Sequence, residues 1–196
     1  MHEYTILNHD RASIGRWLGI SALILAGFVS EWVSKAYSLT GIEALGKVTV
    51  TVAVVYFALH WLFNNYAWKH LFLPDISGQW NVMGKTLDAD GNTVYEWEGK
   101  LSIEQKWDKI AIHFKTEKSE GISYVATLLK KDGAGIWSLK YSYKNDPSIK
   151  YAHSLNAHRG CSEINFSGDL SQGEGFYFNN NERNTFGTVQ IKRTNK

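Results

Sequence analysis

Apolar and polar positions divide this chain into two regions with different periods. From Val48 to Trp68 it runs 21 residues without an Asp, Glu, Lys or Arg. As a helix rising about 1.5 Å per residue, such a run crosses a hydrocarbon core of roughly 30 Å. Residues 17–34 form another apolar stretch, broken by one charge at Glu31. Beyond Pro74 the long runs stop, and short alternating segments separated by Gly, Asn and Asp follow. The pattern predicts two N-terminal transmembrane α-helices within residues 1–73 and a mainly-β domain over residues 74–196.

Residues 93–107 show the β period most clearly. Trp97, Gly99, Leu101, Ile103, Gln105 and Trp107 fall on one face, and Glu96, Glu98, Lys100, Ser102, Glu104 and Lys106 on the other. Further strands are expected at Ile76–Lys85, Lys109–Thr116, Ile122–Lys130, Gly135–Lys144, Tyr151–His158, Ser162–Phe166, Glu174–Asn179 and Thr185–Arg193. Turns at Asp88–Gly91, Asp132-Gly133, Asn145-Asp146-Pro147 and Ser167-Gly168-Asp169 separate several of them. Eight or nine short strands without a long amphipathic helix predict a small antiparallel, up-and-down-like β-barrel of about eight strands. Such a barrel is either filled by side chains or holds one small ligand.

Charge sharpens the division. The whole chain carries a net +2, but its first 68 residues hold 8 of the 40 formal charges. The lone Cys161 forms no intramolecular disulfide, which fits a reducing compartment. Two spans return the chain to its starting side, so the N-terminus and the β domain share one compartment. Arg11, Arg16 and Lys69 lie on that side, against Lys35 and Lys47 in the connection, a bias that agrees with a cytosolic domain. A cleavable signal peptide would use Leu18–Val29 as its core and Ser34-Lys35-Ala36 as its cleavage site. Glu31, Trp32 and Lys35 crowd that site, and a second apolar run follows directly. Within the first span Gly15, Gly19, Ala22 and Ala26 recur at helical spacing, a small-residue face that brings helix backbones close in lipid. Its partner is either the second span or another protomer.

Catalytic patterns are missing from the sequence. His153 and His158 are five residues apart, on opposite faces of one strand, and no carboxylate or thiolate spacing completes a metal site. No Gly-x-Ser-x-Gly elbow or phosphate-cradling loop is present. The chain reads as neither an enzyme nor a metalloprotein. Binding residues are better represented: Trp137, Leu139, Tyr141 and Tyr143 alternate along one strand that ends at Asn145. His158, Arg159, Arg183 and Phe176-Tyr177-Phe178 lie near strand ends. Aromatic rings stack on nucleobases, and Arg forks hold phosphates.

Layout and motifs together resemble a known group. Behind two spans come Pro74-Asp-Ile-Ser-Gly-Gln-Trp80, Ile103-Glu-Gln-Lys-Trp107, Leu139 through Pro147, His158-Arg-Gly160 and Gly187-Thr-Val-Gln-Ile191. The chain resembles the two-transmembrane, β-barrel effectors of CBASS, the bacterial anti-phage systems built on cyclic-oligonucleotide signalling. The resemblance implies a multi-pass inner-membrane protein whose cytoplasmic barrel binds a cyclic dinucleotide made by a cognate CD-NTase. Binding would drive homo-oligomerisation of the helices and disruption of the lipid bilayer, killing the infected cell. It implies no cofactor and no DNA or RNA polymer as partner. The candidate ligand residues are Trp80, Tyr141, Tyr143, Asn145, His158, Arg159 and Arg183. The alternative is a membrane-anchored, lipocalin-like barrel that binds an apolar ligand.

Overall fold

The structure is a computed structural model that describes residues 1–7, 11–42, 51–70, 73–131, 135–180 and 183–194. The chain divides into a helical unit, His9–Leu71, and a β unit that joins Met1–Asn8 to Phe72–Lys196.

In the helical unit, α1 spans Arg11–Thr40 and extends past both ends of the apolar stretch. Glu31, the charge inside that stretch, is paired one turn on with Lys35 at 2.7 Å. Gly41 ends the helix at φ 65°, and its N–H donates to the Tyr37 carbonyl at 2.9 Å, a left-handed cap that a side chain would strain. The second helix, α2, covers Val52–Asn65. The Thr51 hydroxyl caps its start by accepting the Val54 N–H at 3.2 Å. At its end the Asn65 side chain donates to the Trp61 carbonyl at 2.7 Å, and a 3₁₀ turn over Ala67–His70 follows. Among the described residues, α1 is the one helix long and apolar enough to cross a membrane. The 14 residues of α2 span only about 21 Å. Residues 48–50 of the expected second span lie outside the described residues. Ala22 and Ala26 are buried where α1 packs on α2, whereas the space beside Gly15 and Gly19 is open.

In the β unit, eight described strands run up and down: β3 (Gly78–Leu87), β4 (Thr93–Gln105), β5 (Lys109–Lys115), β6 (Ser119–Lys130), β7 (Trp137–Pro147), β8 (His158–Phe166), β9 (Gln172–Asn179) and β10 (Phe186–Arg193). Each pairs antiparallel with the next. Pairing of β10 with β3, from Phe186↔Leu87 to Arg193↔Trp80, closes the barrel. The expected inward set of β4 is the observed one, with Leu101, Ile103 and Gln105 buried and the acidic and basic neighbours outside.

Two expectations are corrected. Residues 151–157 are not a strand but a 3₁₀ turn over Ile149–Tyr151 and further turns, and β8 begins at His158. Ser148 starts this excursion in extended geometry, and Tyr151 closes it by donating its N–H to the Ser148 carbonyl at 2.8 Å. His153 is therefore exposed on a turn, and among the described residues no cluster could hold a metal ion. The second correction concerns the N-terminus, which carries two short strands that sequence periodicity did not reveal, β1 (His2–Glu3) and β2 (Thr5–Leu7). β5 and β6 pair only over His113–Lys115 and Glu120–Ile122, then diverge. Into this seam β1 inserts antiparallel to β5, and β2 parallel to β6. Tyr4 and Ile6 are buried there, each 4% exposed. The Tyr4 hydroxyl donates to the Lys106 carbonyl at 3.1 Å and accepts from the Gln105 amide at 3.1 Å. His2 Nε2 bonds the Ser123 hydroxyl at 2.8 Å.

Candidate ligand-binding site

Inward positions change character along the barrel. At one end they are Trp80, Leu101, Ile103, Ile110, Leu128, Leu139, Ile164 and Phe166, which fill it. Towards the other end the inward positions include Gly84, Gly99, Gly121, Gly160, Gly175 and Gly187. Glycine there lets neighbouring rings and backbone approach closely, and a cavity of about 560 Å³ opens at that end. Antiparallel order fixes who reaches it: β3, β5, β7 and β9 by their C-terminal ends, β4, β6, β8 and β10 by their N-terminal ends.

The glycines also seat the aromatic walls. Tyr143 lies on its cross-strand partner Gly160, where an added Cβ would come within 2.6 Å of the ring carbon Cζ. Its hydroxyl continues past β8 to donate to Asn179 Oδ1 on β9 at 2.9 Å. Trp97 lies over its partner Gly84 and packs edge-on against Phe114 and Tyr177, with ring centres 5.4 and 5.5 Å away. The indole N–H reaches the Tyr177 hydroxyl at 3.3 Å, and that hydroxyl bonds Thr86 at 2.6 Å. Burial pushes the Tyr141 phenol up to about 12. The Tyr143 and Tyr177 phenols are pushed up for the same reason, with Arg183 opposing the shift at both. These hydroxyls stay protonated: that of Tyr143 donates to Asn179, and that of Tyr177 accepts from the Trp97 indole.

A buried polar group lies beside the aromatics. The Asn145 amide nitrogen donates to the Ser119 hydroxyl at 3.1 Å and bonds His158 Nε2 at 3.3 Å. His158 Nδ1 faces the Asn156 carbonyl at 3.1 Å, so Nδ1 carries the proton and Nε2 accepts. Three connections frame the mouth. The β5–β6 turn presents Glu117 and Lys118, and it is tied to the β7–β8 connection by Ser148 N–H to the Lys118 carbonyl at 2.9 Å and the Tyr151 hydroxyl to Glu117 at 2.9 Å. The β9–β10 turn presents Arg183, whose guanidinium reaches the Tyr95 hydroxyl at 3.4 Å. Among the described lining residues, Lys118 and Arg183 are the basic ones.

Five of the seven candidate residues therefore meet at one cavity: Tyr141, Tyr143, Asn145, His158 and Arg183. Trp80 does not. It is fully buried at the filled end of β3, with its indole N–H on the Ile76 carbonyl at 3.2 Å, Phe166 beside it and the Arg193 guanidinium 4.8 Å from its ring centre. Arg159 follows His158 in a strand, so it points outward and is exposed. Sequence reading missed Trp97, Phe114, Asn179 and Lys118 as cavity residues, and had noted Tyr177 only as an aromatic near a strand end.

A closed barrel with an aromatic cavity lined by both basic and acidic side chains, joined to an apolar helical segment, is the architecture of a membrane-associated receptor. Comparison with known proteins makes the class specific. A family model described as the Cap15 cyclic dinucleotide receptor domain matches residues 71–193, and one described as the Cap15 TM helices matches residues 12–69. The CD-NTase-associated protein 15 of Yersinia aleksiciae is 35% identical, over 98% of this chain and 97% of its own length. The chain belongs to the Cap15 family of CBASS effectors.

Proposed function

We propose that the cavity binds a cyclic dinucleotide made by a cognate CD-NTase, and that occupancy drives protomers to assemble through their helices and disrupt the bacterial inner membrane. One observation carries this reading: the cavity combines flat aromatic walls with two cations, Arg183 and Lys118, in a lining that also holds Glu96, Glu98 and Glu117. Base stacking on aromatics is worth about 1–3 kcal/mol per base. Arg183 and Lys118 supply one cation for each of two phosphates. At about 560 Å³ the cavity falls within the usual range for small-molecule sites, roughly 300–1,000 Å³. Tyr141 and Tyr143 serve as walls, and Asn145 and His158 face the base edges or sugar hydroxyls.

The N-terminal strands support the membrane topology. Because β1 and β2 belong to the same sheet as β3–β10, the chain between them crosses the membrane an even number of times. With α1 as one crossing, the Val48–Trp68 run, of which α2 is the described core, is the other. A ligand made by a CD-NTase is met from the cytoplasm, which supports assigning that shared side to it.

The apolar-ligand alternative is less favoured, since an acyl chain would bury the Arg183 and Lys118 groups without replacing their water. A panel of 3′,3′-linked cyclic dinucleotides and fatty acids, scored by thermal shift and calorimetry on the full chain in detergent, separates the two. A nucleotide should bind, more weakly as ionic strength rises. Arg183→Ala should cost it about 1.5–3 kcal/mol. Saturable binding of a fatty acid alone would overturn the reading.

A further inference from the structure

Arg183 sits on a turn, and a cation on a turn recognises an anion well only if the turn is held in place. The inner wall of the barrel supplies that hold through Asn179. The backbone N–H of Asn179 donates to the Thr185 carbonyl at 2.8 Å, closing the turn at its base. Its side chain does something further. Asn179 Oδ1 accepts the Tyr143 hydroxyl at 2.9 Å, and Asn179 Nδ2 donates to the Thr185 hydroxyl at 2.7 Å. The amide thus links an aromatic wall of the cavity, on β7, to the far side of the Arg183 turn. Inside the turn the N–H groups of Arg183 and Asn184 both donate to the Asn180 carbonyl at 2.9 Å, and Asn184 adopts φ 43°. From there the guanidinium extends to Tyr95 on β4.

We propose that Asn179 is a positioning residue of the receptor: it locks the Arg183 turn to the Tyr143 ring, so that stacking on the wall and anion capture at the rim operate as one unit. This rests on the nucleotide-binding reading above. Asn179 is suited to the task because an amide both accepts and donates. Tyr143 has a proton to give and Thr185 an oxygen to receive one, so the two bonds fix the amide in one orientation. Removing the amide leaves Arg183 present but free to sample positions away from the ligand, and the ordering entropy is then lost at binding.

The test compares the wild type, Asn179→Ala, Arg183→Ala and the double variant as full chains in detergent. Calorimetry uses 3′,3′-linked cyclic di-AMP, cyclic di-GMP and cyclic GMP–AMP at low and high ionic strength. Asn179→Ala should weaken the bound nucleotide about tenfold or more, and its salt dependence should flatten to that of Arg183→Ala. The double variant should bind no worse than Arg183→Ala alone. A loss that adds to that of Arg183→Ala, with salt dependence unchanged, would mean that Asn179 only stabilises the barrel and would overturn the proposal. Amide hydrogen exchange without ligand reads positioning directly: residues 183–185 should exchange faster in Asn179→Ala while β7 and β8 stay protected. Unchanged exchange there would also overturn it. If no nucleotide binds the wild type but exchange at the turn accelerates, the nucleotide reading fails and the positioning role stands.

Discussion

Tyr141 is a buried phenol of the cavity, 9% exposed, and its pKa is raised to about 12 because burial disfavours the phenolate. A folded-state pKa above the unfolded value of about 10 keeps the proton on in the native state. The corresponding stability is fully present below pH 10 and is lost as pH rises through 12. Two pH units correspond to about 3 kcal/mol. Tyr141→Phe should therefore flatten the decline in unfolding free energy between about pH 10 and 12, as followed by chemical denaturation. An unaltered decline would show that this phenol is not the titrating group. Residue-level legibility was uneven for a geometric reason. Alternation tells which side chains point inward but not which end of the barrel they reach. Trp80 and Trp97 both point inward; Trp80 lies near the start of β3 and falls in the filled end, whereas Trp97 lies near the start of the antiparallel β4 and reaches the mouth. Strand direction, which an up-and-down order supplies, is the signal that distinguishes them.

Elements with a clean period were legible and those held by local hydrogen bonds were not. β4 matched its alternation because every second residue is charged or polar. The 3₁₀ turn at Ile149–Tyr151 has no such pattern and is set by Ser148 and Tyr151 contacts. The two-residue β1 and three-residue β2 are too short to show any period. For α1 the small-residue face was legible but its use was not. Ala22 and Ala26 are taken up by packing on α2, whereas the space beside Gly15 and Gly19 is open. No atom lies within 4 Å of a Cβ built on Gly19, so Gly19→Leu fits a single protomer. Membrane insertion and nucleotide binding should survive this change, while nucleotide-dependent crosslinking and toxicity fall. Full toxicity would move the assembly surface to the Val48–Trp68 run.

The whole molecule is organised by a sheet whose first and last strands flank the helical segment in sequence. A fragment beginning at residue 74 lacks the strands that fill the β5–β6 seam, although the sequence places the domain boundary there. Deleting residues 2–7 should lower barrel stability by about 3–6 kcal/mol, from the lost burial of Tyr4 and Ile6 and their hydrogen bonds. Denaturant melts of the 74–196 fragment with and without a peptide of residues 1–8 measure this, and the peptide should restore stability. Equal melts would show the seam closes unaided.

The same seam imposes an order on biosynthesis. Residues 2–7 leave the ribosome ahead of the helical segment, yet they can dock only after β6, more than a hundred positions later, has been made. In the interval the β5 and β6 edges that they pair with do not yet exist. The seam is thus closed by residues made before the strands they join, and anything attached ahead of His2 bears on this late step of folding rather than on an early one.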